Sequence, residues 1–172
     1  MNYSLYKLDI TFKLFLLFFI LSLTTGVLYG LIYLYDTTSI SSKGAVERLR
    51  GSENDPEDEF EIREQYPKSG SELLMTVHNH IIGFSFIFVL MGGIFYFNTI
   101  VTGWWKKFFL IEPFISVVIS FSSLFAIRFI DRNFVYLTIL SSSLIYISFF
   151  AMAGISVFEL IIKKKSDGRR MK

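Results

Sequence analysis

The sequence predicts an all-α integral membrane protein, a four-helix bundle with both termini in the cytoplasm. Two observations lead to this fold class. Four apolar stretches are each long enough to cross a bilayer, and hydrophobic residues make up 52% of the 172-residue chain, which is typical of a polytopic membrane protein. The lysines and arginines concentrate in segments that share one side of the membrane after four crossings.

The chain is predicted to form a single membrane domain over residues 1–172. About 20 apolar residues cross the hydrocarbon layer at a rise of about 1.5 Å per residue. Four stretches reach that length, and we expect membrane spans over about 14–35, 73–98, 108–130 and 134–162. The first stretch is too long for a cleaved signal peptide, and no A-x-A-like cleavage site follows it.

The placement of basic residues predicts the orientation. Lys7 and Lys13 precede the first span, Lys106 and Lys107 separate the second from the third, and a basic run at 163–170 follows the fourth. All three segments lie on one side after four crossings, and the positive-inside rule makes that side the cytoplasm. Trp104 and its neighbour form an aromatic anchor at the same level. We therefore expect a multi-pass membrane protein with both termini in the cytoplasm.

The first connection, about residues 36–72, is predicted to be an outward-facing acidic loop. Ten of the fifteen acidic residues fall within it. We interpret the acidic run as a solvated surface, with a cation or a basic partner as the alternative. The absence of cysteine excludes disulfides, thiolate metal sites, iron–sulfur clusters and covalently attached haem. Nucleic acid is not an expected partner, because the basic clusters flank apolar spans.

The two histidines are the leading candidates for a functional site. Ser69 and Glu72 fit a capping box, which predicts that the second helix begins outside the membrane. His78 and His80 then lie near the outer boundary. Residues two apart on a helix point about 200° apart, so these imidazoles make a weak metal site and are expected to have separate roles.

Arg128 and Asp131 are predicted to lie at the same membrane depth as the histidines. One interpretation is an ion pair between them, three residues apart on a helix. The other groups His78 or His80 with Arg128 and Asp131 in one outer-facing pocket. Such a pocket would suit an anionic group, such as a haem propionate, a lipid phosphate or a carboxylate.

Polar and small residues inside the spans give further candidates. Glu159 has Lys163 four residues later, which predicts an ion pair, with a proton- or cofactor-linked role as the alternative. Glu112 precedes a proline and is interpreted as a first-turn residue near a helix N-terminus. Gly26 and Gly30 form a small-residue face that suits either packing inside the bundle or dimerisation.

A set of short motifs resembles four-span bacterial inner-membrane proteins of unassigned activity. Their residues are Tyr-Pro-Lys-Ser at 66–69, Glu-Leu-Leu at 72–74 and Thr-x-His-x-His at 76–80. An Arg-x-Arg-Gly element at 48–51 precedes them, and the likeness extends to Arg128 and Glu159. The resemblance implies a four-helix protein with a His-x-His site at its outer face.

Three functions are compatible with these features. The first is an accessory or partner-binding membrane subunit. Its partners would be the lipid bilayer and either a second copy of the chain or other membrane subunits. Its histidines would serve packing, hydrogen bonding or pH sensing. The second is a haem-binding, electron-transfer protein that holds haem b through His78 or His80, with the other axial ligand from a homodimer, a partner, Met75 or Met91. The third is a protein linked to divalent metals through the histidines and the acidic loop. Enzyme activity is not favoured, because no nucleophile with a base and an orienting group is evident.

Overall fold

The computed structural model of the protein describes residues 4–52 and 66–162, and within these ranges all regular structure is helical. A 3-10 turn at Leu5–Lys7 is followed by five α-helices, α1 Ile10–Thr38, α2 Ser42–Arg50, α3 Gly70–Tyr96, α4 Gly103–Phe129 and α5 Phe134–Ile161. Four of them (α1, α3, α4 and α5) are 27 to 29 residues long and apolar enough to cross a membrane. The predicted four-helix membrane bundle is confirmed.

Two of the long helices, α1 and α4, begin about one turn before the apolar stretches from which their spans were predicted. The first begins at Ile10 rather than near residue 14, and α4 begins at Gly103 rather than near residue 108. The added turns carry lysines and tryptophans, which lie at membrane interfaces and do not raise the local hydropathy. We refer to the end of the bundle with Lys106 as the inner end and to the end with Arg128 as the outer end.

The antiparallel pair α4 and α5 forms the centre of the bundle, joined by a short turn at 130–133. The third long helix, α3, packs against both, and α1 packs against α5. The main core contains side chains that are almost fully buried, among them Phe88, Met91, Val117, Ile145 and Phe149. Buried serines lie between α4 and α5, where their small size allows close packing.

A side-chain cap explains where α3 begins, and a hydrogen bond in the preceding turn positions the start of α5. The predicted capping box is present at α3, because Ser69 Oγ accepts from Glu72 N at 3.3 Å and Ser69 N donates to the Glu72 carboxylate at 2.9 Å. At α5, Asn133 occupies the N-cap position but makes no capping bond with its side chain. Asp131 Oδ1 instead accepts from Asn133 N at 2.7 Å, which fixes the turn between α4 and α5.

The short helix α2 lies within the segment that the sequence predicted as a loop. Its N-cap is Ser41, whose side chain accepts from Gly44 N at 3.0 Å. Its single buried residue, Leu49, joins an outer cluster with Leu73, Ile127 and Val135. The acidic middle of the predicted loop, at 53–65, lies outside the described residues.

Candidate functional site

His80 lies on α3 with its ring in an aromatic setting. Its Nδ1 is 2.7 Å from the carbonyl oxygen of Thr76, and because a carbonyl only accepts, Nδ1 carries the proton. The Nε2 atom therefore presents a lone pair. The ring centroid is 4.9 Å from that of Phe121 on α4 and 6.3 Å from that of Phe84. This tautomer is the one in which Nε2 can act as a ligand.

His78 has a different environment from His80. Both side chains are exposed, but the His78 ring makes no hydrogen bond or ion pair with another residue of the described ranges. The two histidines thus diverge, as the helical geometry predicts. No three His, Asp or Glu side chains come close enough to hold a metal ion within residues 4–52 and 66–162.

Arg128 does not join the histidines. Its Nε donates to the carbonyl of Lys68 at 3.0 Å, and its guanidinium lies 5.2 Å from the centre of the Phe129 ring. These contacts place Arg128 level with the residues just before α3 begins. His80 is level with Phe121, about 10 Å deeper by helical rise. The structure therefore separates Arg128 from His80 along the membrane normal.

Asp131 also binds elsewhere than the sequence suggested. It accepts from the backbone of the α4–α5 turn, and the one ion pair within 4.0 Å among the described residues joins Lys43 to Glu47. The expected pair between Arg128 and Asp131 is absent. Both side chains bind main-chain groups, which fix the connections at the outer end.

The motifs of the sequence resemblance meet at this outer end. Arg50 Nε donates to the carbonyl of Ile127 at 2.7 Å, and Lys68 N donates to the carbonyl of Leu49 at 3.1 Å. Arg48 reaches α1, where it donates to the hydroxyl of Tyr33 at 3.0 Å. These bonds hold α2 and the start of α3 against the ends of α1 and α4. These residues of the resemblance motifs therefore hold the helices together at the outer end.

Glu159 lies at the opposite, inner end and is completely buried. Its carboxylate accepts from Thr99 N at 2.6 Å and from Thr99 Oγ1 at 2.8 Å, which attaches the α3–α4 connection to α5. Lys106 Nζ donates to the carbonyl of Asn98 in the same connection at 2.6 Å. The partner predicted for Glu159, Lys163, lies outside the described residues.

Glu112 is an intramembrane residue, not a first-turn residue. Because α4 begins at Gly103, Glu112 lies in its third turn, about 13 Å from the helix start. One carboxylate oxygen accepts from Ser116 Oγ, and the other accepts from Ser148 Oγ of α5 at 2.8 Å. The sequence interpretation placed the helix start too late and was wrong on this point.

Comparison with known protein families settles the class of the chain. Residues 39–167 match the profile of a transmembrane helical domain (Aq_1264_TM). The chain belongs to this family. The match takes in α2 to α5 and leaves α1 outside it. No curated protein and no solved structure matches the chain.

The helix outside the family domain, α1, carries the small-residue face. Gly26 and Gly30 have open space beside them, since a Cβ added at either position would meet nothing within 4 Å. The face that α1 turns to α5 carries Leu16, Ile20 and Val27, which are buried. Around the helix axis, the two glycines lie on the same side of Val27, at an average angle of about 80° from it. Packing inside the bundle therefore does not use them.

Proposed function

We propose that this protein is an accessory subunit of a bacterial inner membrane, with its inner end in the cytoplasm, and that it assembles through α1. The observation that carries this proposal is the open space at Gly26 and Gly30. Glycine lowers helix stability by about 1 kcal/mol relative to alanine and fills no space against lipid. It is useful on a membrane helix where another backbone approaches closely. Among residues 4–52 and 66–162, no backbone approaches these two glycines in this way.

The partner that fits this face is the same face of a second copy. Residues 14–35 contain no charged side chain, so two copies can meet without repulsion or desolvation of a charge. Two helices that cross at paired glycines bury identical surfaces around a two-fold axis. The family domain of each copy, formed by α2 to α5, then lies outside the contact between the two α1 helices.

Co-purification of two differently tagged copies tests the proposal. When both are expressed together and extracted in mild detergent, the wild-type chains are expected to co-purify. Gly30→Ile should lower the co-purified fraction about tenfold, which corresponds to a loss of about 1.4 kcal/mol in association. The matched control is Gly83→Ile, because Gly83 is an equally open glycine on α3. An unchanged fraction in Gly30→Ile would refute the association of two copies through this face.

A second candidate function, ligation of haem b by His80, is favoured by the tautomer of this residue. Its Nδ1 is bonded to the Thr76 carbonyl, so Nε2 is available as a ligand, and Phe121 adds a flat apolar surface. Of the proposed second ligands, Met91 is buried in the main core, about 16 Å along α3 from His80, and cannot share an iron atom with it. Met75 is exposed and lies five residues before His80, so its side chain points about 140° away around the helix. The second ligand would then come from another copy or a partner.

Haem titration of the purified protein tests this second candidate. A Soret band should form in the wild type and in His78→Ala, and it should be lost in His80→Ala. His78 serves as the control because it lies two residues away on a different face of α3 and has no contact like that between His80 and Phe121. A protein that takes up no haem, or a band of equal size in both variants, would exclude ligation by His80.

A further inference from the structure

We infer that Glu112 is the centre of an intramembrane site for a monovalent cation, either a proton or a sodium ion. This site is independent of the assembly through α1 and of the histidines. Its further ligands are the hydroxyl oxygens of Ser116 and Ser148, which already contact the carboxylate. All of these donors are oxygen atoms, which hard cations prefer.

Charge balance is the first reason for a cation at this position. Glu112 lies inside the third membrane span, and its carboxylate has two hydroxyl donors but no basic side chain within 4.0 Å among the described residues. Hydroxyl groups stabilise a carboxylate but do not cancel its charge. An uncompensated charge in the hydrocarbon layer has a high free-energy cost. A bound proton or another monovalent cation removes this cost because it neutralises the carboxylate.

The proline after Glu112 leaves one backbone oxygen on the same helix without its usual donor. Pro113 lies inside α4 and has no N–H, so the carbonyl of Phe109, four residues earlier, loses its helical hydrogen-bond donor. Phe109 and Glu112 are three residues apart and share a face of the helix. A carbonyl freed in this way needs another polar or charged partner, and a cation bound at Glu112 supplies one.

A groove between α4 and α5 leads to this carboxylate. It has a volume of about 520 Å³, and its lining is apolar except for a few groups that include Glu112, Ser116 and Ser141. Lys107 and Trp104 line the groove toward the inner end. Glu112 is only partly buried, so an ion or a small apolar reagent can reach it.

The other titratable groups near Glu112 are few and distant. Lys107 is the one other charged residue of the groove lining, and it lies five residues before Glu112 on the same helix. The titratable residues of α5 are Tyr136, Tyr146 and Glu159. At the inner end of α3 the titratable residue is Tyr96. The carboxylate of Glu159 is already bonded by Thr99. A change in labelling or binding with pH can therefore be assigned to Glu112 by mapping the modified residue.

Labelling with N,N′-dicyclohexylcarbodiimide tests the site in the full chain, in detergent and in lipid vesicles. This apolar reagent adds to a protonated carboxyl group and forms a stable N-acylurea with no leaving group, and peptide mass spectrometry locates the adduct. We expect modification of Glu112, and the reaction should be slower at higher pH because the reagent adds only to a carboxyl group that holds a proton. The variant Glu112→Gln should lose the adduct, and Glu159 should stay unmodified in the folded protein.

Sodium chloride, compared with potassium chloride at equal ionic strength, distinguishes the two ions. If the site takes sodium, labelling should slow about tenfold at ten times its dissociation constant, and Ser148→Ala should weaken this protection while the carboxylate remains reactive. If the site takes a proton alone, the rate depends on pH and not on sodium. A folded protein in which Glu112 is never modified, or is modified at a rate independent of both pH and sodium, would overturn the inference.

Discussion

Replacing Glu159 by alanine is expected to lower the free energy of unfolding by about 3 kcal/mol, because it removes two hydrogen bonds from a buried carboxyl group and leaves a cavity. The carboxylate is completely buried and accepts from the backbone N–H and the hydroxyl of Thr99. Without it, the N–H of Thr99 loses its acceptor and a cavity forms under the α3–α4 connection. Reversible denaturation in mixed detergent micelles measures the change.

Thr99→Val is the matched control for this prediction. It removes the hydroxyl bond to Glu159 Oε1 but keeps the backbone bond to Oε2, so it should cost about 1 kcal/mol. The predicted order of stability is wild type, Thr99→Val and then Glu159→Ala. If Glu159→Ala is as stable as the wild type, the carboxylate does not attach the connection to α5, and the role assigned to it is wrong.

Leu73→Ala is expected to destabilise the outer end by about 3 kcal/mol, the usual cost of removing a fully buried leucine side chain. Leu73 has no exposed surface and packs with Leu49 of α2, Ile127 of α4 and Val135 of α5. The loss should release α2 first, because Leu49 is its single buried residue. Hydrogen exchange of the α2 amides, together with the denaturation midpoint, measures both effects.

The neighbouring leucine provides the control. Leu74 is 60% exposed, and the same substitution there should change stability by less than about 0.5 kcal/mol. Both variants alter one leucine in the first two turns of α3, so they share any effect on helix propensity. Equal losses in the two variants would mean that the outer cluster does not hold the end of the bundle together.

Much of this architecture follows from patterns that are local in the sequence. Continuous apolar stretches predicted the four long helices, and the spacing of Ser69 and Glu72 predicted where α3 begins. The angle between side chains two residues apart predicted that His78 and His80 diverge. Each of these features depends on residues within a few turns of one another, so the sequence contains the information directly.

The features that were not predicted depend on contacts between distant segments. Arg128 binds a carbonyl sixty residues earlier in the chain, at Lys68, and no local pattern indicates that partner. The helix α2 is stabilised by the burial of Leu49 against three other helices, and the surrounding acidic residues obscured its pattern. Glu112 was assigned to a first turn because hydropathy marks where the lipid-facing stretch starts, whereas α4 starts five residues earlier at Gly103.

Disulfide cross-linking along α1 tests the central claim, the assembly through Gly26 and Gly30, most directly. The chain contains no cysteine, so single cysteines can be introduced at successive positions without a background. Oxidation in native membranes should give cross-linked dimers of Gly26→Cys and Gly30→Cys. Leu28→Cys and Ile32→Cys lie on the opposite side of the helix, where cross-linking should be lowest. A maximum at Leu28 and Ile32, or no cross-linking at any of the four, would contradict the proposed assembly.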